Sequence, residues 1–243
     1  MLEGRFFTPA RLVEVANSHP PVSPPGVRYF YANTNYVVAG LVVEAVTGTS
    51  LELQVQKRLI EPLRLRATTF PTLGGPMATP YAHGYVFAEG QLFDATTPYP
   101  HWPSWLWAAG NMVSNASDLA TFYQALLGGQ LLPADLLTAM KTLAPGSNYG
   151  LGLAAEALPC GTVWGHIGGI PGYRSVAGAS EDGTRAVVML VNITPVPEPA
   201  DEALTTALVA AACAALGREP VPASQPAPGT SGETTERVLV GRW

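Results

Sequence analysis

The sequence predicts an α+β fold in which helices come first, an antiparallel sheet follows, and a last helix packs back on that sheet. Apolar residues with helical spacing and capping signals fill most of the first 145 residues. Four strand-like segments then follow one another with short turns between them, and an alanine-rich helical segment comes after them. Because helices and strands do not alternate along the chain, a doubly wound parallel sheet is not predicted.

Capping residues set the bounds of the predicted helices. Thr8 followed by Pro9 is typical of a helix N-terminus, and Gly48 is typical of a position just past a C-terminus. Ser50 and Ser117 are further N-cap candidates. The helices of the first region are predicted over 8–18, 34–47, 50–60, 117–127 and 132–143.

Turn residues set the bounds of the predicted strands. Alternating residues around Glu89-Gly90 predict a small surface hairpin over 85–94, and Glu181-Asp182-Gly183 predicts a tight turn between the last two strands. The strands of the main sheet are predicted over 149–155, 162–168, 173–180 and 184–192, followed by a helix over 200–216. The chain therefore divides into a mainly helical region (1–145), a sheet region with the C-terminal helix (146–217), and a Pro/Ser/Thr/Gly-rich tail (218–243) that we expect to be disordered.

The composition limits the classes of function. Charged residues make up 13% of the chain and the net charge is -5, so there is no basic stripe and nucleic acid is not an expected partner. No apolar run approaches the roughly 18 residues of a membrane span, and the chain opens without the apolar segment of a signal peptide. Cys160 and Cys213 cannot form a metal site by themselves, so no metal is expected. They are either two buried thiols or one disulfide.

A short segment before the second predicted helix contains a tyrosine and an asparagine that could act on a substrate. Tyr31-Ala32-Asn33 places a phenol and an amide two residues apart on a loop, where both can point the same way. A phenol can relay a proton, and an amide can hold a substrate carbonyl or N–H group. The alternative is that Asn33 caps the helix while Tyr31 packs beneath it, and the spacing alone favours that alternative.

A glycine-rich segment lies on the second strand of the predicted main sheet. It contains His166-Ile167-Gly168-Gly169. Glycines after the histidine leave one strand edge bare, so that the backbone of a substrate could add to the sheet. Taken in isolation, a histidine in a glycine-rich turn is the simpler interpretation.

The two segments together are more specific than either alone. Tyr31-x-Asn33 followed 135 positions later by His166-x-Gly168 resembles the penicillin-recognising serine hydrolases, the superfamily of serine β-lactamases and penicillin-binding proteins. The most similar branch is that of the secreted D-alanyl-D-alanine carboxypeptidases and class-C-like esterases, and the resemblance covers about residues 5–215. It extends to 18–21, 31–48, 62–65, 109–114, 118–120 and Tyr149-Gly150-Leu151-Gly152.

The resemblance implies a β-lactamase/transpeptidase-like fold with an acyl-transfer site and no cofactor. It implies that Tyr31 relays protons and that Asn33 binds the amide of the acyl side chain. His166 and Gly168 would line the opposite wall. The backbone N–H of Gly169 would form half of an oxyanion hole, since only backbone is needed there.

One element of the family's chemistry is absent from the sequence. Ser-x-x-Lys supplies the nucleophile and a base, yet no serine here is followed by lysine three residues later, and the only lysines are Lys57 and Lys141. In the family this element lies well upstream of Tyr-x-Asn. We therefore expect that the N-terminal strands and the nucleophile helix are missing from this chain, and that the missing segment is a candidate partner.

The sequence also departs from the family at the carboxylate-binding positions. Carboxypeptidases of the family hold the terminal carboxylate of the substrate with hydroxyl residues beside the histidine and glycine, and with a nearby arginine. Here Ile167 and Gly169 occupy those positions, and 151–155 contains no arginine. The difference favours an esterase or amidase that acts on a small molecule or peptide with an ester or amide bond.

Further assignments depend on the resemblance. Trp105 and Trp107 are candidate substrate-binding residues on a wall of the cleft, and core packing is equally compatible with both. Some family members carry a bridge equivalent to Cys160–Cys213, which implies a disulfide here. The intact protein is expected to be extracytoplasmic or secreted. His83 and His101 lack metal-ligand spacing and are expected to be surface or satisfied histidines.

The sequence leaves several functions open. The chain is a fragment of a serine hydrolase that is inactive alone, a non-catalytic or decayed ligand-binding remnant, or one half of a complementing pair. The upstream reading frame distinguishes them, because an in-frame Ser-x-x-Lys indicates a mis-assigned start and a stop codon indicates decay.

Overall fold

The computed structural model describes residues 6–72, 77, 79–96 and 104–217. Within these ranges the chain mixes helices with antiparallel sheet, as the sequence predicts. The tail predicted to be disordered (218–243) and His101 lie outside the described residues.

Seven α-helices account for most of the helical structure in these ranges. Thr8 Oγ1 accepts the Arg11 N–H at the start of the first helix, and Gly48 ends the second with a left-handed φ of 66°. The helix that begins at Leu51 continues through a π-helical turn, Gln56–Ile60. The helices are α1 (Pro9–Asn17), α2 (Asn33–Thr47), α3 (Leu51–Val55), α4 (Glu61–Leu63), α5 (Ala116–Leu127), α6 (Ala134–Lys141) and α7 (Ala200–Ala215).

Several predicted boundaries differ from the observed ones by a few residues, and two of these differences have a clear local reason. The N-cap of α5 is Asn115 instead of Ser117, because the Asn115 side chain accepts the Asp118 N–H at 2.9 Å. The first strand of the main sheet begins at Ala154 instead of residue 149. The preceding residues turn, with Gly152 at a φ of 88° and the Gly150 N–H donating to the Leu153 carbonyl.

The strands form two sheets. Strands β3 (Ala154–Leu158), β4 (Gly161–Ile170), β5 (Tyr173–Ser180) and β6 (Ala186–Val191) pair antiparallel in that order. The predicted hairpin is present as β1 (Tyr85–Ala88) and β2 (Gln91–Asp94), with positive φ at Glu89 and Gly90. A short strand that was not predicted, β7 (Ile193–Thr194), pairs parallel with β1 and joins the hairpin to the end of the main sheet.

One hydrophobic cluster joins α5 to the main sheet. Tyr123 and Leu126 of α5 pack with Trp164 of β4 and Ala177 of β5, all of them buried. Alternate residues of a strand share a face, so His166 lies on the same face as Trp164. The face of the sheet that carries His166 is therefore the face that packs against the helices.

A second cluster fixes α2. Val37 and Phe70 pack with Trp107, which is 4% exposed and lies in a short 3₁₀ turn, Trp107–Ala109. Gly40 makes this close packing possible, because a Cβ there would lie 2.8 Å from the Trp107 ring. This contact sets the position of α2 and of the tyrosine-rich loop that leads into it.

The Cys160–Cys213 disulfide implied by the family resemblance is present, with the two Cα atoms 5.4 Å apart. It links the start of β4 to α7, and its two cysteines lie 53 positions apart in sequence. In the described ranges, no single helix is long and apolar enough to cross a membrane. Among the described residues, one pair of helices passes a test of length and hydropathy together, α2 with Leu51–Leu63, and this pair is bent by 83°.

Candidate functional site

Tyr31 and His166 lie side by side, although they are far apart in sequence. Their ring centroids are 6.1 Å apart. The Tyr149 ring packs against both, with its centroid 5.5 Å from that of Tyr31 and 5.4 Å from that of His166. The two segments that were identified from the sequence therefore meet at one place.

Hydrogen bonds connect the histidine to two tyrosines that the sequence did not single out. The Tyr149 hydroxyl lies 2.6 Å from Nε2 of His166. It is also hydrogen-bonded to the Tyr36 hydroxyl. On the other side of the ring, Nδ1 of His166 is hydrogen-bonded to the Ile167 carbonyl. The side chain that is hydrogen-bonded to His166 is thus that of Tyr149, while the Tyr31 ring packs against the imidazole.

Two local structures bring these side chains together. The turn after Tyr149 closes with a hydrogen bond from the Ala155 N–H to the Asn148 carbonyl at 2.8 Å, which places Tyr149 beside β4. Tyr31 precedes the first turn of α2 and Tyr36 lies within that turn, so their rings stack with centroids 5.7 Å apart. Tyr29 packs on Tyr149 at 5.8 Å. We call Tyr29, Tyr31, Tyr36, Tyr149 and His166 the tyrosine–histidine cluster.

The cluster is only partly open to solvent, and this holds its members neutral. Burial, followed by the neighbouring Tyr36 and Tyr29, raises the pKa of Tyr31 to about 12. A hydrogen bond with Tyr149 has a smaller, opposite effect on this pKa. Burial is also the main cause that raises the pKa of Tyr149 and of Tyr36. Burial lowers the pKa of His166, and its bond to the Ile167 carbonyl opposes this. At neutral pH the cluster consists of protonated phenols and a neutral imidazole.

Asn33 is the first residue of α2 and is partly exposed. The N-cap position belongs to Ala32, so Asn33 does not cap the helix, which was the simpler interpretation of its sequence position. None of the hydrogen bonds among the described residues involves the Asn33 side chain, so its amide is available to a ligand. Its role in binding an acyl side chain stays a prediction.

The second half of β4 offers a partly open strand edge. Strand β3 pairs with β4 only as far as Gly165, whereas β5 accompanies β4 to its end. Beyond Gly165, β4 therefore has no strand on its β3 side among the described residues. A Cβ at Gly168 would lie 2.4 Å from Ser175 Oγ, a side-chain atom that can rotate away, and Gly169 is exposed with open space around it. This edge suits a backbone-to-backbone contact with a substrate.

The two tryptophans differ in accessibility. Trp107 is buried against α2, which corresponds to the core-packing alternative for this residue. Trp105 is partly exposed, and its role at a cleft wall stays a prediction. His83 is exposed and pairs with Asp94 at 2.8 Å, as a satisfied surface histidine would. Over the described ranges, no group of three or more His, Cys, Asp or Glu residues is arranged to hold a metal ion.

Sequence reasoning missed Tyr36, Tyr149 and Tyr29 as members of the cluster. One signal was available for the loop, since three tyrosines fall within the eight residues 29–36. In the sequence, Tyr149 belongs to a family-like motif and is predicted to start a strand. Its proximity to His166 depends on the turn that replaces that part of the strand.

The sequence matches the model of the Beta-lactamase family over residues 2–212, which is most of the chain. A Bacillus subtilis (strain 168) protein assigned as a penicillin-binding protein, PbpX, is 29% identical over 169 residues. That match covers 70% of this chain and 41% of the Bacillus protein.

Solved structures show the same relationship. A D-stereospecific amidohydrolase from Streptomyces sp. is 41% identical with a TM-score of 0.73, over 79% of this chain and 58% of that one. A D-amino acid amidase from Ochrobactrum anthropi SV3 is 28% identical with a TM-score of 0.68, over 85% of this chain and 66% of that one. The β-lactamase/transpeptidase-like fold is thus confirmed, and the chain spans only about two fifths to two thirds of the length of these relatives.

Proposed function

The chain belongs to the Beta-lactamase family, and from this premise we propose that it contributes two walls of the acyl-transfer site of a serine hydrolase. One wall carries Tyr31 and Asn33, and the other carries His166 with the Gly168-Gly169 edge. The substrate is an amide or ester that passes through an acyl-enzyme.

The observation that carries the proposal is the contact between the rings of Tyr31 and His166, with the Tyr149 ring packed against both. A capped helix and an unrelated glycine turn would give no reason for these two side chains, 135 positions apart in sequence, to come together. An acyl-transfer site gives one, since a proton-relaying group and a substrate-binding strand must face the same reacting bond.

In this function Tyr31 delivers a proton to the leaving group. Its pKa of about 12 keeps the hydroxyl protonated at neutral pH, which suits a proton donor. To act first as a base it would need a nearby cation to lower that pKa. The described members of the cluster are all neutral, so the cation would come from the lysine of Ser-x-x-Lys, an element absent from this sequence.

Among substrates, an amide without a free carboxylate beside the scissile bond fits best. Arg174 lies directly opposite Gly169 in the sheet, but its guanidinium pairs with Asp201 of α7. Ile167, next to His166, is 52% exposed and apolar. These contacts do not favour a carboxylate, and two of the similar structures are of a D-stereospecific amidohydrolase and a D-amino acid amidase. We therefore propose a D-amino acid amide or a related ester as the substrate class.

We further propose that the 243-residue chain is inactive on its own, because it has no Ser-x-x-Lys. Removing the nucleophile from a unit of this type costs on the order of 10⁶ in rate. The test is to incubate the purified chain with a fluorescent penicillin and with D-phenylalanine amide. Neither covalent labelling nor amide hydrolysis is expected, and labelling of any serine would contradict this part of the proposal.

A gain-of-function experiment tests the rest. The segment of a family member that carries Ser-x-x-Lys would be fused upstream of residue 6. The fusion should hydrolyse D-phenylalanine amide in preference to the L-enantiomer, and Tyr31→Phe in the same fusion should abolish most of that activity. A fusion that labels with penicillin and is unaffected by Tyr31→Phe would overturn the role of Tyr31.

The alternatives, a decayed or ligand-binding remnant and one half of a complementing pair, predict different outcomes. A decayed remnant gives an inactive fusion even when it is folded. A complementing pair restores activity when the two pieces are mixed without being fused. We also propose an extracytoplasmic setting for the intact protein, since the Cys160–Cys213 disulfide suits an oxidising compartment.

A further inference from the structure

The hydrogen bonds around His166 determine which ring nitrogen carries the hydrogen. Nδ1 is bonded to the Ile167 carbonyl. A carbonyl oxygen can only accept, so Nδ1 must be the donor. A neutral imidazole has one N–H, which leaves Nε2 as an acceptor. The bond at Nε2 therefore has to be donated by its partner.

The same reasoning sets the direction of the next two bonds. The Tyr149 hydroxyl, 2.6 Å from Nε2, donates its only hydrogen to that nitrogen. Its oxygen can then only accept from Tyr36, so the Tyr36 hydroxyl is the donor in the bond between the two tyrosines. The three bonds run in one direction, from Tyr36 through Tyr149 and His166 to the Ile167 carbonyl.

We propose that Tyr149 and Tyr36 are positioning residues that hold His166 as its Nδ1–H tautomer, and that Tyr31 is thereby left as the reacting phenol. The hydroxyl hydrogens of Tyr36 and Tyr149 are both needed for these bonds. The Tyr31 hydroxyl also interacts with that of Tyr149, but none of the three bonds requires its hydrogen. Tyr31 is also 39% exposed, so its hydroxyl can meet a substrate. The assignment of Tyr31 rests on the proposed function, but the tautomer does not.

The arrangement holds only while His166 is neutral. A second hydrogen at Nε2 would prevent Tyr149 from donating there, and the bond between Tyr149 and His166 would have to reverse. The titratable groups that face the ring are Tyr31 from the loop before α2 and Tyr149 from the turn before β3, with Tyr36 and Tyr29 packed behind them. Across the described residues, no carboxylate or cation is hydrogen-bonded to the ring.

The tautomer can be read directly by ¹⁵N NMR of the full chain labelled at its histidines. His166→Gln identifies the resonances of His166 among those of the four histidines. At pH 7.5, Nδ1 is expected to resonate as a protonated nitrogen and Nε2 as an unprotonated one. Tyr149→Phe should move the Nε2 resonance toward that of an imine nitrogen without a hydrogen bond. Tyr36→Phe should move it less in the same direction, because it weakens Tyr149 as a donor without removing it.

Tyr29→Phe is the matched control. Tyr29 packs on Tyr149 at 5.8 Å, and the described residues contain no hydrogen bond to its hydroxyl, so its removal should leave both nitrogens of His166 unchanged. A protonated Nε2 in the unsubstituted chain at pH 7.5 would overturn the proposal. So would an unchanged Nε2 resonance in a folded Tyr149→Phe variant. If that variant does not fold, the tautomer of the parent chain and the Tyr36→Phe shift still decide the matter.

This measurement needs no hydrolysis. A negative NMR result would leave the serine hydrolase proposal standing, and an inactive fusion would leave the tautomer assignment standing.

Discussion

At the scale of single residues, the site depends on where hydrogens and small side chains are placed. His166 and the tyrosines around it are held neutral by partial burial, and direct hydrogen bonds fix how the histidine is oriented. Gly40 has a comparable structural effect in α2, because its missing side chain admits the Trp107 ring. Two predictions belong to this scale.

The first concerns Gly40→Ala. In an open helix this change stabilises by about 1 kcal/mol. Here the new Cβ would lie 2.8 Å from both the Trp107 ring and the Ala108 Cβ, and such overpacking costs about 1–3 kcal/mol. We expect a net loss of stability, measured as a lower urea midpoint. Val46, near the end of the same helix, is 81% exposed, so Val46→Ala should change the midpoint little. A Gly40→Ala variant as stable as the parent would contradict the packing argument.

The second concerns pH. Burial lowers the pKa of His166 in the folded chain below its unfolded value of about 6.5. A group with a lowered folded pKa contributes stability that is complete above the unfolded pKa and is lost as the pH falls through the folded pKa. The stability advantage of the parent chain over His166→Gln should therefore shrink as the pH falls below about 6.5. Urea unfolding of both proteins at several pH values measures this, and a difference that is constant from pH 8 to pH 5 would refute it.

At the scale of elements, turns decide how the strands meet the helices. The turn between β5 and β6 is held by Asp182, whose Oδ1 accepts from the Ser180 hydroxyl and from both the N–H and the hydroxyl of Thr184. These bonds lower the pKa of Asp182 to about 2. The same turn touches the end of α5 through Gly183.

Gly183→Ala should therefore cost more than an ordinary glycine substitution in a turn. Gly183 has a φ of 70°, and a Cβ there would also collide with backbone atoms of Gln124 and Gly128. Gly146 has a nearly identical φ of 72° with no atom within 4 Å of the added Cβ. Gly146→Ala should cost about 1–2 kcal/mol of unfolding free energy for its backbone conformation alone. Equal losses in the two variants would show that the contact with α5 is unimportant.

At the scale of the whole molecule, α7 is joined to the sheet by packing and by the Cys160–Cys213 disulfide. Chain entropy for a 53-residue loop suggests a contribution of about 4 kcal/mol, and measured gains are often smaller. Reduction should thus lower the unfolding free energy of the parent chain. The Cys160→Ala/Cys213→Ala variant should be insensitive to reductant, so any further effect of reductant on it would mean that the loss has another cause.

The sequence by itself determined the order of the elements and most of their bounds, because capping residues, turn glycines and hydrophobic spacing act over a few residues. It also determined Tyr31 and His166 as candidate site residues, through motifs that keep their order along the chain. Only the tertiary structure decided that Trp107 belongs to the core, that β7 pairs with β1, and that Tyr36 and Tyr149 complete the cluster. These features depend on contacts between residues far apart in sequence. Packing and hydrogen bonds across the fold determine which of those residues meet, and no local sequence pattern encodes them.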